Sequence, residues 1–465
     1  MMSGLPSFYA HPAAFMAYGL GAILLVGLAR LPGDRPARYG RGLLLLSIVV
    51  ALAALKPAGA PEGALLRQDG FAIAWQTIFL LAAVPLAALM PMESELPAAL
   101  LASALAGMLV LAAANHLVVF FLGLELMSLP SYLLVYRLRR DKKSLEAAIK
   151  YFFAGSVGSA LFLFGVSLFY GLTGSLAMDP ADVSSPRLEL ALTLMGAGAL
   201  FKVGAVPLHF WLPDVYEAAA PELAGFFSTG VKSAGLVFLF RVLMLLPPAS
   251  GGFASWLPAV SVATMTVGNL LALRQTSLQR LLAYSSIAHV GYLLLGVWAW
   301  SALRPAAGPV PVPAAVYVYA AAYLFMSTGA FLALRLGNLR ERRQLAGFAR
   351  RSPAIAAFLT LMLMSLASIP PTGGFLGKFL VFWDAVKAGG AWLAAVAAAN
   401  SIVGLGYYFA LIRDLYLSEP GPETAEDPGP LGLRGRALIF ACAAPTLLLG
   451  LWPGAWQAAA EWLAR

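Results

Sequence analysis

The chain has 465 residues; hydrophobic residues make up 60% and charged residues only 11%. No soluble domain of this length needs so much apolar surface, so the composition places the protein in a membrane. The net charge of +9 fits basic loops at a membrane face and needs no nucleic acid, and a single cysteine, Cys442, excludes a disulfide framework and any multi-cysteine metal or iron–sulfur site.

Four histidines, His11, His116, His209 and His289, are scattered without a ligand spacing. There is no Walker A loop and no GxGxxG opening a βαβ unit, so no nucleotide site is expected. Apolar stretches recur along the chain, separated by Pro, Gly or charged loops. The first three predicted spans are 8–29, 40–56 and 71–90. The first follows a start without Lys or Arg and reads as a retained membrane helix rather than a cleaved signal. Spans 97–114 and 116–136 are divided only by "ANH", and the second carries Glu125 in "FLGLELMSLPSY". Span 148–172 begins with Lys150, expected to snorkel at a membrane boundary. Its small residues Gly155, Gly158 and Ser159 predict close helix packing. Span 188–218 contains "FKVGAVPLHFWLPDVY", with Lys202 ahead of Pro207 and Pro213. Span 222–246 carries Lys232 and Arg241, the latter expected to snorkel near the outer end. Spans 253–274, 280–300 with His289, and 313–336 follow. Span 353–388 contains "SIPPTGGFLGKFLVFWD", with Pro370, Pro371, Gly373 and Gly374 before Lys378. Spans 391–416 and 434–457 complete the chain. The expected fold is an all-α polytopic membrane protein of about 14 transmembrane helices.

Loop charges orient these spans. With the N-terminus outside, the loops around 30–41, 137–143, 274–280, 335–351 and 413–436 fall on the cytoplasmic side and hold 20 Lys and Arg; the opposite side holds six. That bias predicts both termini on the outer side of the membrane. The stretch "SEPGPETAEDPGP" (418–430) reads as a polar cytoplasmic loop.

Glu125, Lys202, Lys232 and Lys378 lie deeper than the other charges. A charge at that depth is costly and usually faces a hydrated, protein-lined interior. Proline removes a backbone donor and clashes with the preceding turn, so spans 188–218 and 353–388 should each open. An opened turn in a bilayer survives only inside protein or beside water. If spans four to eight and nine to thirteen are two units, each has five helices, and the odd number inverts the second. The breaks then fall at the fourth helix of each unit, as in transporters built from inverted repeats. Two simple kinks are the alternative. The expected organisation is therefore 1–96 (spans one to three), 97–246 (first repeat), 253–416 (second, inverted repeat) and 417–465 (cytoplasmic loop and last helix).

On these motifs the chain resembles the subunit N family of bacterial proton-pumping NADH:quinone oxidoreductases (respiratory complex I), an antiporter-like membrane subunit family. The resemblance covers about residues 95–416 and rests on "LELMSLPSYLLV" (124–135), "SLEAAIKYFFAGSVGSALFLFGVSLFYGLTGS" (144–175), "FKVGAVPLHFWLPDVYEAA" (201–219), "GNLLALRQTSLQRLLAYSSIAHVGYLL" (268–294) and "SLASIPPTGGFLGKFLVF" (365–382). "PDVY" at 213–216 stands where the related subunits L and M usually read "PDAH", and Lys378 stands where subunit M has glutamate. "EAAAPEL" departs from the family's Gly-Ala-Pro-x-Pro stretch. The resemblance implies proton-transfer roles for Glu125, Lys202, Lys232 and Lys378. For His289 it leaves two readings, a proton relay or a packed, hydrogen-bonded histidine. His209 and Asp214 are expected to be structural, and His116 has no assigned role.

The resemblance further implies a subunit of a redox-driven proton pump in the bacterial plasma (inner) membrane. Its partners would be the other membrane subunits of complex I, especially neighbouring antiporter-like ones, and the lipid bilayer. Flavin and iron–sulfur clusters would belong to partner subunits, with quinone as the substrate of the complex and no cofactor in this chain. Glu125 near Lys202 would hold a proton, and parting the pair would release it; Lys232 would pass protons on toward Lys378. The alternatives are an Mrp-type cation/proton antiporter subunit, against which "PDVY" argues, and a non-pumping structural subunit, against which four costly buried charges argue.

Overall fold

A computed structural model describes residues 12–28, 35–57, 63–90, 94–178, 185–246, 252–304, 312–419, 429–454 and 458. The expectations for His11, for the loop 179–184, for most of the loop 418–430 and for both termini lie outside the described residues. Helices stand at the place of each predicted span: α1 Pro12–Leu28, α2 Arg35–Ala53, α3 Gly70–Leu89, α4 Leu96–Ala113, α5 Leu117–Arg137, α6 Lys142–Thr173, α7 Pro186–Val203, α8 Trp211–Ala218, α9 Pro221–Phe226, α10 Lys232–Met244, α11 Leu257–Ala272, α12 Leu278–Leu303, α13 Ala314–Leu336, α14 Phe348–Arg351, α15 Pro353–Leu366, α16 Gly373–Lys387, α17 Ala391–Tyr416 and α18 Leu433–Leu451. Among the described residues there is no β-strand, only three isolated bridges. A lipid environment forces this economy, because a helix satisfies its backbone internally. Ten described spans are long and apolar enough to cross a membrane.

The chain divides into two compact units: residues 1–203 with 230–253, and residues 204–229 with 254–465. In the first unit, α4 and α5 approach to backbone contact. A Cβ on Gly107 would lie 2.4 Å from the Met127 nitrogen, and one on Gly123 would lie 2.8 Å from the Leu111 nitrogen. This crossing sets the face of α5 that carries Glu125. In the second unit α11 and α12 do the same, with Gly268 against Ala288 and Gly291 against Met265, each at 2.5 Å from the backbone nitrogen. That crossing lies beside His289.

Both predicted breaks open, but not at every proline expected to open them. The first runs from Gly204 to Phe210, contains Pro207, and starts with Gly204 in the left-handed region at φ 75°. Its Val206 N–H is satisfied by the Thr264 hydroxyl at 3.1 Å. Pro213 lies inside the first turn of α8, where the missing N–H has no helical acceptor to lose. The second break, Ala367–Thr372, holds Pro370 and Pro371, and Ser368 turns left-handed at φ 62°. Gly374 then closes on the end of α15: its N–H donates to the Ser365 hydroxyl at 3.2 Å, and a Cβ there would sit 1.9 Å from the Ser365 carbonyl oxygen.

Two details depart from the sequence reading. The predicted helix over 222–246 is interrupted by a π-turn at Phe227–Val231, where the Ser228 and Thr229 hydroxyls both donate to the Gly225 carbonyl, at 2.8 and 2.9 Å. Competition of side-chain donors for one carbonyl loosens the regular ladder. Arg241, expected to snorkel, is instead buried: it donates to the Ala112 carbonyl at 2.6 Å and lies 4.7 Å over the Phe71 ring. An orphan carbonyl at the C-terminus of α4 and an aromatic face attract the guanidinium inward.

Candidate functional site

The Lys202 site lies in the first unit. Lys202 is on the last turn of α7 and is 5% exposed. Its Nζ donates to the Ser128 hydroxyl at 2.7 Å, and that hydroxyl donates to the Leu124 carbonyl at 2.5 Å. The Tyr132 and Tyr151 rings face the ammonium, at 5.5 and 5.7 Å. Glu125 precedes Ser128 by one turn of α5, is half-buried, and accepts from the Ser159 hydroxyl of α6 at 2.5 Å. Glu125 and Lys202 form no ion pair; serines hold each of them. Ser159 is therefore more than the packing residue predicted for it. Gly155 and Gly158 keep that predicted role: a Cβ on them would collide with the Tyr132 hydroxyl and the Phe201 ring.

Lys232 opens α10 and is 3% exposed. Three residues on, Gly235 lets α10 lie on the end of α7, since a Cβ there would be 2.9 Å from the Val203 nitrogen. The first unit thus brings Glu125, Lys202 and the Lys232 helix together.

The second unit holds Lys378 and His289. Lys378, 5% exposed, sits in the second turn of α16 directly after the break. Its Nζ donates to the Ser401 hydroxyl of α17 at 3.1 Å and lies 4.3 Å over the Tyr292 ring. Tyr292 is fixed in turn by Asn269, whose Nδ2 donates to the phenol at 3.0 Å. Among the described residues no carboxylate pairs with Lys378. His289 is 1% exposed, and both ring nitrogens meet tyrosine hydroxyls, Nδ1 with Tyr319 at 2.7 Å and Nε2 with Tyr408 at 3.3 Å.

Of the two residues expected to be structural, Asp214 lies in an ion pair, whereas the buried His209 Nδ1 has no hydrogen-bond partner among the described residues. Arg280 binds Asp214 at 2.7 Å and Glu217 at 2.9 Å. The atypical loop after Tyr216 is tied down by Gln279, whose amide donates to the Tyr216 and Ala219 carbonyls at 2.8 and 3.0 Å. His116 caps α5 by accepting from the Val118 N–H at 3.3 Å. Lys150 is exposed and pairs with Glu146 at 2.7 Å. Among the described residues no group of His, Cys, Asp and Glu is arranged to hold a metal.

The family model described as the transmembrane part of NADH:quinone oxidoreductase/Mrp antiporters matches residues 114–404, a stretch that includes Glu125, Lys202, Lys232, His289 and Lys378. NADH-quinone oxidoreductase subunit N 2 of Solibacter usitatus (strain Ellin6076) is 36% identical, over 95% of this chain and 94% of its own. Subunit N 2 of Rhizobium meliloti (strain 1021) is 37% identical, over 96% and 95%. The chain belongs to the subunit N family of NADH:quinone oxidoreductases. A chain from the structure of respiratory complex I from Thermus thermophilus with bound Aureothin shares the fold, with a TM-score of 0.84 and 33% identity over 95% of this chain and 97% of that one.

Within this subunit N fold, sequence reasoning missed the hydroxyls. Ser128 was within reach of such reasoning, because it follows Glu125 by three residues and shares its helix face. Ser401, Tyr292, Tyr319 and Tyr408 come from separate helices, and no local spacing marks them.

Proposed function

We propose that this chain is a proton-translocating membrane subunit of an NADH:quinone oxidoreductase, and that Glu125, Lys202, Lys232, His289 and Lys378 handle the protons. One observation carries this reading. Lys202 and Lys378 are buried beside helix breaks and are bound by hydroxyls and aromatic faces, not locked to carboxylates. Two cations elsewhere in the chain are bound the other way, Arg280 by two carboxylates and Arg342 by Asp414 at 2.6 Å. A serine hydroxyl accepts from an ammonium and can equally donate to a neutral amine, so it tolerates both states of a carrier. A permanent ion pair tolerates one. Moving a charge against the membrane potential costs about 2.3 kcal/mol per 100 mV, a scale that modest changes in the surroundings of a buried amine can supply. Oxidation of NADH and reduction of quinone belong to partner subunits that hold the flavin and iron–sulfur clusters.

The reading includes fourteen crossings, with 97–246 and 253–416 as two inverted five-helix repeats, and a place in the bacterial plasma membrane with both termini outside. Loops assigned to one side do lie together within each unit. Leu278 N–H donates to the Arg340 carbonyl at 2.8 Å, and Arg342 N–H to the Thr276 carbonyl at 2.9 Å. In the other unit Asn115 N–H donates to Leu65, and Leu117 N–H to Leu176, at 2.9 and 2.8 Å. In a Cys442→Ser background, Arg340→Cys is expected to react with an impermeant thiol reagent from the cytoplasmic side and Ser175→Cys from the outer side. Labelling of both from one side contradicts the orientation.

The carrier role is tested on Lys202 by protons moved per NADH oxidised in vesicles, beside a gel that checks assembly. Lys202→Ala is expected to lower pumping roughly 100-fold at that step. Lys202→Arg is impaired as well, because guanidinium does not release its proton. The double change Glu125→Gln with Lys202→Met stays poor, since no carrier remains. Full pumping by that charge-free pair ends the carrier reading and leaves Lys202 a structural counter-charge.

A further inference from the structure

Asn269 is a polar side chain in the apolar helix α11 and is 1% exposed. A buried amide is costly unless its groups are bonded, and here they are. Its Nδ2 donates to the Tyr292 hydroxyl of α12 at 3.0 Å and to the Asn400 carbonyl of α17 at 2.9 Å, and its Oδ1 accepts from the Tyr407 hydroxyl at 3.1 Å. The Asn400 carbonyl can only accept, which fixes the end of the amide that faces it. Both Nδ2 bonds lead to Lys378. Its Nζ lies 4.3 Å over the Tyr292 ring and donates at 3.1 Å to the hydroxyl of Ser401, the residue after Asn400. One amide thus ties together the ring and the helix segment that hold the Lys378 ammonium.

Joining helices does not account for this placement. Helices α11 and α12 already meet through Gly268 and Gly291, and the Ser261 hydroxyl donates to the Gly291 carbonyl at 2.7 Å. An asparagine that served only as glue between helices could bond anywhere along them; Asn269 bonds at the two neighbours of Lys378. A lysine amine on its flexible stem gives up a proton in a set direction only if its partners are themselves set. Tyr292 alone could turn about its side-chain torsions, and Ser401 could shift with α17; the amide couples both to α11.

We propose that Asn269 is a positioning residue for the proton step at Lys378, holding the Tyr292 ring and the Ser401 segment of α17 in register with each other. The inference rests on the reading that Lys378 takes part in translocation. Asn269 exchanges no proton itself; its amide acts through Tyr292 and Ser401. Leucine at 269 fills the same space but binds neither, so the amine keeps its charge and loses its fixed surroundings.

The test uses the intact complex, in sealed vesicles for protons moved per NADH oxidised, and in purified form for fluorine NMR of a fluorinated tyrosine placed at 292. Asn269→Leu is expected to lower pumping on the order of tenfold. In the parent, Lys378→Met moves the fluorine resonance, because it removes the charge over the ring. In the Asn269→Leu background the same change is expected to move the resonance much less, since the ring no longer stays under the ammonium. A residue that only stabilised the fold would leave that movement intact. Equal movement in both backgrounds, or parent-level pumping by Asn269→Leu, overturns the proposal. If Asn269→Leu does not assemble, Tyr292→Phe carries the test: it keeps the ring, removes only the hydroxyl that Asn269 holds, and is expected to lower pumping a few-fold. Parent-level pumping there overturns the proposal as well. Lys378→Met in the vesicles separates this inference from the reading beneath it. If it pumps normally, the carrier reading of Lys378 falls, and the fluorine comparison still decides whether Asn269 holds the site. If it fails while Asn269→Leu pumps at parent level, only the positioning falls.

Discussion

The Lys202 and Lys378 sites use one device with different charge environments. Each places a buried lysine at a broken helix, gives its Nζ one serine hydroxyl, and sets aromatic faces around the ammonium. Around Lys202 a carboxylate stands close by, Glu125, held by Ser159 rather than by the lysine. Among the described residues Lys378 pairs with no carboxylate. A nearby anion favours the charged amine, and its absence leaves hydroxyls and π-faces to serve either form. In the proposed function, the first site is the one that holds a proton and the second the one that lets it go. It also shows that a bare helix break does not define function, since what surrounds the amine decides its behaviour.

The largest expected effect separates the two breaks. Gly374→Ala puts a Cβ into the Ser365 carbonyl at 1.9 Å, backbone against backbone with nothing to yield. The complex is expected not to assemble, as a native gel would show. Gly204→Ala meets the flexible end of Leu212 at 2.5 Å and adds a left-handed residue, costing about 1–2 kcal/mol. It is expected to assemble with lowered thermal stability. Equal behaviour of the two variants would break the distinction.

A smaller contrast probes the charge environments. Ser401→Ala removes the hydroxyl that binds the Lys378 amine, a bond to a charged group worth about 1.5–3 kcal/mol. Pumping per NADH is expected to fall roughly tenfold. Ser128→Ala removes the matching bond at Lys202, but Glu125 remains to support the charge, so the loss is limited to a few-fold. A larger loss at Ser128 than at Ser401 would reverse the assignment of the two sites.

The smallest effect lies at the edge of the membrane. Asp141 caps α6, accepting from the Ser144 N–H at 2.7 Å while its own N–H donates to the Ser144 hydroxyl at 3.1 Å. Partial burial pushes its carboxyl up, but the Ser144 bonds and the cations Arg139 and Lys143 outweigh this and hold it below the usual carboxylate range. Its stabilisation is therefore present above the ordinary carboxylate pKa and is lost as pH falls through the lower folded value. Asp141→Ala is expected to cost about 1 kcal/mol at neutral pH, read as a small drop in Tm that disappears in acid. A drop independent of pH would remove the cap from the account of α6.

Hydropathy, loop charges and the two Pro-Gly interruptions were enough to locate the helices, both breaks and the deep lysines. Lipid leaves the backbone few choices, and each charge in an apolar run stands out against them. Ser128, three residues after Glu125 on α5, was open to reasoning from helix spacing but was missed. Partners from distant helices were beyond such reasoning. Arg241 read as a snorkelling residue until the Ala112 carbonyl and the Phe71 ring drew it inward, and Ser159 read as packing until Glu125 claimed its hydroxyl. The tyrosines bound to His289 were likewise decided by tertiary structure. Hydropathy reports the cost of burying a group, whereas its hydrogen-bond partners depend on which helices glycine lets approach. The sequence by itself thus determined where charge enters the membrane, and only the folded chain decided what each charge touches.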